Sequence, residues 1–270
     1  LSVFPRTFIV AGSLWHDIAA AGGEKKYFHQ ELILVSRDGL RWEPKWEYCW
    51  SRPDWQPEPP YFAFYQPELQ RHVMIVRPGW GDRRVAMQTT RDFRDWSEPE
   101  LLLQMDPLDD TAVGFYTMPV FPYGSMYVGL LWVFHNASSR PVESFNQFFG
   151  TMDAHLAYSY DGVRFVRGLR QPFLRTTPFP EHGCTQLRPY SLVTHEDEIR
   201  IYSGGSRAAH GREGGAQRAG RTVQAITMHR LRKDGFMCLR PRGDWARIQT
   251  KPLAVWSDRI LLNAAAPFGE

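Results

Sequence analysis

Polar and apolar positions alternate along this chain in short runs, and the runs come in groups. Tyr61 to Tyr65, His72 to Arg77, Arg84 to Thr90 and Glu100 to Gln104 form one group of four. Phe115 to Pro122, Met126 to His135, Ala154 to Ser159 and Phe173 to Arg175 form a second, and Thr185 to Val193, Glu198 to Ser203, Thr222 to Arg230 and Met237 to Arg240 a third. The runs are rich in β-branched and aromatic residues and short enough for strands, and almost no segment sustains a helical apolar period. The pattern predicts an all-β chain. Arg6 to Trp15 and His29 to Ser36 predict two strands of an earlier, partial group whose inner strand is missing or is the stub Leu1 to Phe4. Thr250 to Trp256 and Arg259 to Asn263 predict a last hairpin around Ser257-Asp258.

A short turn box recurs within these groups: Ser36-Arg37-Asp38-Gly39-Leu40-Arg41-Trp42, Thr90-Arg91-Asp92-Phe93-Arg94-Asp95-Trp96 and Ser159-Tyr160-Asp161-Gly162-Val163-Arg164-Phe165, with a worn copy at Lys233-Asp234-Gly235-Phe236. Ser or Thr and Asp hydrogen-bond such a turn, Gly takes φ > 0, and the trailing aromatic packs between sheets. The Asp positions lie 54, 69 and 73 residues apart, a period that suits four-stranded blades with loops of variable length. The expected fold is a β-propeller with three complete blades and two partial ones, spanning residues 1–249 and followed by the hairpin in 250–270. With strands named A to D from the axis outward, the A–B links are tight, whereas the B–C links are long: Leu14 to Phe28, Pro78 to Arg83, Asn136 to Asp153 and Gly204 to Arg221. Antiparallel order puts these long links on one face. Loops beyond about 12 residues in a compact domain are usually functional or mobile, so the site is expected at the axial mouth on that face.

Composition narrows the partners. Net charge is +3 and no basic run exceeds Arg83-Arg84, so there is little electrostatic footprint for nucleic acid. No stretch approaches the roughly 18 apolar residues of a membrane span. The three cysteines lack CxxC spacing, the histidines show no ligand spacing, and the Gly-rich stretch 211–215 precedes no helix, so neither metal nor cofactor is predicted. The chain opens at Leu1 into a strand-like run and reaches Glu270 soon after another, which reads as a piece of something longer.

At the mouth the long links and inner strands should gather His16, Asp17, Glu58, Arg77, Trp80, Asp109, Asp110, Tyr116, His135, Asp153, Glu181, Arg188, His210 and Lys251. Acids, aromatics and histidines in one rim suit glycosidic chemistry, which needs a proton donor near the leaving oxygen and a second carboxylate as base or nucleophile.

The blocks Gly114-Phe115-Tyr116-Thr117-Met118-Pro119-Val120-Phe121-Pro122-Tyr123, Tyr127 to His135, Leu156-Ala157-Tyr158-Ser159-Tyr160-Asp161-Gly162, Glu198 to Gly205, His210-Gly211, Arg232 to Phe236 and Thr250-Lys251-Pro252 resemble, in the same order, bacterial glycosyl hydrolase family 32-like, five-bladed-propeller hydrolases. The resemblance covers residues 30 to 263 and is most specific at 114 to 135. It implies a five-bladed propeller acting on a carbohydrate, incomplete at its N-terminus and truncated at its C-terminus, with 250–270 starting a further blade or a C-terminal β-sandwich. His135 and Asp153 match the family pattern; His182-Gly183-Cys184-Thr185 stands where relatives have Phe-Asp-Ser-Gly, leaving Glu181 as the nearby acid, and Gly114 replaces an expected polar residue. On this reading Asp110, Asp153 and Glu181 supply acid or base, Glu58, Trp80, Tyr116, His135 and His210 contact the sugar, and Arg188 and Lys251 neutralise charge. The rival reading is a non-catalytic propeller that binds a carbohydrate or a partner at its mouth. A sialidase would want an arginine cluster, for which only Arg77 and Arg188 stand in place.

Overall fold

A computed structural model of the chain describes residues 8–19, 25–48, 58–80, 82–137, 149–211, 223–244, 247–260 and 262–264. Among them there is no α-helix, only strands and two 3-10 turns, and no helix long and apolar enough to cross a membrane.

The strands follow one another as antiparallel meanders. Strand β1 (Phe8–Ala19) pairs with β2 (Lys25–Ser36), which takes β3 (Glu43–Pro44) on its other edge. Next come β4 (Glu58–Gln66), β5 (Arg71–Arg77), β6 (Val85–Thr90) and β7 (Glu100–Leu103), hydrogen-bonded in chain order. In the third group β8 (Val113–Thr117) and β9 (Val120–Tyr123) both pair with one edge of β10 (Met126–Asn136), whose other edge takes β11 (Gly150–Ser159) and then β12 (Val166–Leu174). The fourth is β13 (Gln186–His195), β14 (Glu198–Ser206) and β15 (Gln224–Arg232), tied to the third by a single parallel pairing, Met152 to Gln186. No closed sheet is formed among the described residues.

Period-two burial explains how the groups join. On β10, Leu131 and Val133 face a cluster with Val73, Ile75, Val85 and Met87 of the second group, while Val128 and Leu130 face Ile199 and Ile201 of the fourth. A strand covered on both faces needs an unbroken apolar run, which is what Tyr127 to Phe134 provides. Phe93 joins Ile33 and Val35 in the same way between the first two groups.

The turn boxes adopt the expected geometry. In the third, the Asp161 carboxylate accepts the backbone N–H groups of Val163 at 2.9 Å and Arg164 at 2.7 Å, Ser159 Oγ accepts that of Gly162 at 2.9 Å, and Gly162 has φ 68°. The second repeats this with Phe93, not Gly, at φ 63°, its ring buried in the core.

Three expectations fail. Leu14 to Phe28 is not a loop: β1 and β2 stay paired out to Ala19 and Lys25, leaving only residues 20–24, outside the described residues, as the link. Met237 to Arg240 forms no outer strand; the turn before it is instead tied to Tyr123 of β9. The Tyr123 hydroxyl donates to Asp234 at 2.6 Å, and Phe236 packs edge-on to Tyr123 at 4.9 Å. The last hairpin is also absent: the described residues of 250–264 carry no strand and lie exposed, reaching the end of β15 through the Asn263 side chain, which meets Arg232 and the Lys233 carbonyl, and forming no strand ladder.

Candidate functional site

Three of the four long links meet around Tyr116. Arg83 closes the link after β5, Gly150 ends the link between β10 and β11, and His210 lies in the link after β14. The His210 N–H donates to the Gly150 carbonyl at 2.9 Å, and the two residues form an isolated antiparallel bridge. Thr185 and Gln186 hold the same link by donating to the Ala208 carbonyl at 2.8 and 2.7 Å.

Tyr116 stands on β8 with its ring stacked 6.3 Å from Trp132, and its hydroxyl is 3.1 Å from Nε2 of His210, whose ring lies edge-on. Arg77, at the end of β5, places its guanidinium 4.3 Å from the centre of the Tyr116 ring and forms an ion pair with Glu58. Arg83 lies 4.6 Å over Phe134 and 5.5 Å from Tyr116. Burial first, and the charge of Arg77 second, push the Arg83 guanidinium down to about 10, against the opposing pull of Tyr116 and Glu58. The stem of Arg83 explains Gly114, where a Cβ would stand 3.0 Å from Arg83 Cβ. The volume that a side chain at 114 would take is thus occupied by Arg83. Trp132 and Phe134 are buried beneath this group and Arg77 lies over the Tyr116 ring, so what gathers here is the Tyr116 hydroxyl, His210 and two guanidinium groups, donors and acceptors of the kind that hydrogen-bond sugar hydroxyls.

A second cluster lies on the opposite face of the same two strands. Asp153 pairs with Val133 across the ladder, so by period two its side chain shares a face with His135 and His155. Nε2 of His135 is 3.0 Å from Oδ2 of Asp153, and Nε2 of His155 is 3.2 Å from Oδ1, off the line of a good hydrogen bond. Asp153 and His155 are buried, whereas the His135 side chain is 41% exposed, so the cluster opens to solvent through His135. Burial would raise the Asp153 carboxyl, but hydrogen bonds from His135 and His155 and their charges outweigh it and hold the group below its ordinary value. The same hydrogen bond raises His135, opposed by burial and helped by the charges of Asp153 and Asp110. Behind His155, Arg167 reaches Nδ1 at 3.5 Å and is itself ion-paired with Asp109 at 2.5 Å.

Donor atoms of His135, Asp153 and His155 lie within 4.8 Å of one another, a spacing that also fits a metal ion. The neighbour of His155 argues otherwise. Metal-bound imidazoles ordinarily donate their second N–H to an acceptor, whereas the group behind Nδ1 of His155 is Arg167, which carries only donors. The group is a row of polar side chains in close contact, running from Asp109 through Arg167, His155 and Asp153 to His135.

The predicted residues divide accordingly. Glu58, Tyr116 and His210 join the first cluster and His135 and Asp153 the second, with Asp110 beside it. Asp110 is exposed and caps its own turn, accepting the Ala112 N–H at 3.0 Å. Glu181 is exposed in a turn in which its own backbone bonds Pro178 and Cys184. Trp80 is half exposed on the 78–83 link, Arg188 is half-buried on β13 opposite Gly204, and Lys251 is exposed in the strandless segment. The side chains of His16 and Asp17 lie outside the described residues. Sequence reasoning missed Arg83, His155 and Arg167. The signal for His155 was its position two residues after Asp153 on a strand; nothing in the sequence ties Arg167 or Arg83 to this region.

No protein-family model and no curated protein matches the chain. Solved structures do resemble it in fold. An N-acetylgalactosamine deacetylase from F. plautii in complex with blood group B trisaccharide aligns at a TM-score of 0.51 and 11% identity, over 86% of this chain and 74% of that one. A glycoside hydrolase aligns at 0.51 and 11% over 93% and 68%, and the β-1,2-mannobiose phosphorylase from Listeria innocua at 0.51 and 13% over 77% and 54%.

Proposed function

We propose that this chain is a carbohydrate-acting protein of the glycoside hydrolase type, built as a five-bladed β-propeller, with two candidate stations on opposite faces of one sheet: a sugar contact at Tyr116 and an acid–base pair, His135 and Asp153, that opens to solvent through His135. The observation that carries the reading is the convergence of three links from successive sheets on one polar, charged cluster, Tyr116 with Arg77, Arg83 and His210. The names of the structural neighbours, a deacetylase solved with a trisaccharide, a glycoside hydrolase and a mannobiose phosphorylase, support a carbohydrate as the ligand. In the acid–base pair, Asp153 is ionised and accepts, while His135, held protonated to higher pH and open to solvent, is the proton donor.

One observation favours a second reading, a binding module without turnover. Glycosidic cleavage uses two carboxyl groups flanking the bond, and Asp110 and Glu181 stand exposed, each engaged in its own turn. A panel of aryl glycosides and oligosaccharides, read by product chromatography and by binding on a glycan array, decides between the two. Hydrolysis that falls about 100-fold or more in Asp153→Asn supports the enzyme. Binding lost in Tyr116→Ala without any turnover supports the module. Neither binding nor hydrolysis of any glycan would sink both.

A further inference from the structure

Trp132 is the meeting point of three other rings. Phe62 of β4, Tyr116 of β8 and Tyr190 of β13, each on the first strand of its group, approach it at 5.7, 6.3 and 5.0 Å. Trp132 itself is buried, Phe62 and Tyr116 are half-buried, and Arg77 lies over the Tyr116 ring, so Tyr190, at 45% exposure, is the ring of this group most open to solvent. A single exposed aromatic is ordinary, but three separate features set this one in place. Pro189 lies opposite Ser203 and Ser191 opposite Tyr202, so Tyr190 is the extra residue of a β-bulge, the device that re-aims a side chain out of its strand's alternation. Proline suits the position before it, since a bulge asks no N–H of that residue. The Trp132 indole N–H donates to the buried Pro189 carbonyl at 2.9 Å, which fixes the backbone beside Tyr190, and the indole then meets the Tyr190 ring edge-on while Phe62 braces it at 5.9 Å. On β14, Gly204 leaves the ring its room, because a Cβ there would stand 3.0 Å from Cε2 of Tyr190. A ring held by bulge, brace and clearance is set before a ligand arrives, so little side-chain freedom is lost on binding.

The structure assigns to Tyr190 the stacking face of a sugar site, on which a pyranose ring lays its apolar C–H face. This rests on the carbohydrate reading above and deepens it. A pyranose is amphipathic and wants a flat apolar partner as well as hydrogen-bonding groups; Tyr116 and His210 offer the latter, and Tyr190, a neighbour of the same indole, offers the former. Tyr190 escaped the sequence reading because strict alternation hides which residue a bulge turns outward.

The test titrates methyl β-D-galactopyranoside, methyl β-D-glucopyranoside and methyl α-D-mannopyranoside into the full chain, followed by calorimetry and saturation-transfer NMR. In wild-type protein, transfer to the glycoside bound best should be strongest at the C–H protons of one sugar face, a readout that needs no variant to fold. Affinity for it should fall about tenfold or more in Tyr190→Ala and in Tyr190→Leu, which keeps bulk but not the flat ring, and stay within about twofold in Tyr190→Phe. If only an oligosaccharide of the glycan array binds, the same variants are read against that oligosaccharide. Wild-type affinity in Tyr190→Ala or Tyr190→Leu, transfer spread evenly over the sugar, or a loss in Tyr190→Phe equal to that in Tyr190→Ala overturns the assignment and leaves the carbohydrate reading standing. Binding of no glycan at all by wild-type protein overturns both.

Discussion

Gly150 is where the two clusters are mechanically joined, and its replacement by alanine measures how tightly. An added Cβ would stand 2.2 Å from the His135 carbonyl oxygen and 2.7 Å from Cζ of Phe134, where ordinary contact begins near 3.4 Å. Either β10 or β11 must therefore move by about 1 Å, and a packed interior resists such a shift. Overpacking costs about 1–3 kcal/mol, and here the obstacle is backbone, so the upper end applies. The displaced strand also pulls on the hydrogen bond from the His210 N–H to the Gly150 carbonyl, 2.9 Å long, worth about 1 kcal/mol net. Together the loss is about 4 kcal/mol, which at about 2–4 °C per kcal/mol for a domain of this size lowers the melting temperature by about 8–16 °C. Thermal melts followed by circular dichroism measure it, with Gly79→Ala as the control, since a Cβ at Gly79 meets nothing within 4 Å and should change stability by no more than about 0.5 kcal/mol. A Gly150→Ala protein that melts with the control would refute the reasoning.

Three further outcomes are expected. In Asp153→Asn the titration midpoint of His135, followed by its ring proton resonances in NMR, drops from its raised position, because the hydrogen bond and charge that hold it up are removed. The pH dependence has a definite sign. The raised His135 contributes stability that is full below its ordinary 6.5 and is lost as pH rises through the raised midpoint, while the lowered Asp153 contributes above its ordinary 3.8 and loses that as pH falls through its lowered midpoint. Urea melts should therefore show the widest gap between wild type and Asp153→Asn between these two values and a narrower one at pH 8; a flat difference across the range refutes the pairing. Trp132→Phe removes the indole N–H that donates to the Pro189 carbonyl at 2.9 Å and should cost about 1–3 kcal/mol in the same assay through a buried acceptor left unmet. Asp161→Ala removes the acceptor of two turn N–H groups and, being at the surface, should cost only about 1 kcal/mol, with no change in ligand binding.

The repeating boxes were legible because their chemistry is local: a serine or threonine, an aspartate two residues later and a left-handed residue after it make the turn without help from the rest of the chain. The strands were legible where alternation or an unbroken apolar run matched one or two covered faces, as on β10. The first hairpin was misread because Ala19-Ala20-Ala21-Gly22-Gly23 looks like a loop in composition, although pairing continues up to it from both sides. The final hairpin was misread for the opposite reason, since apolar alternation makes a strand only when a neighbouring edge takes its hydrogen bonds. For the site, Asp153 with His135 and Tyr116 with His210 were each named without being paired, because cross-strand register and the meeting of distant links are not encoded in any one segment. Arg83 was seen only as half of a short basic run, and its meaning appears once the bare backbone of Gly114 lies beside it.

Adjacent sheets here are held to one another by interlocking side chains and, between the third and fourth groups, by the pairing of Met152 with Gln186 and the bridge between Gly150 and His210. Trp132 is the clearest of these keys, forming one trio with Phe62 at 5.7 Å and Tyr190 at 5.0 Å, whose own rings lie 5.9 Å apart. The spacing of neighbouring sheets is accordingly set by the bulk of a few rings more than by ladder register. Trimming or enlarging one of them would narrow or widen that spacing by fractions of an ångström while every strand kept its partners.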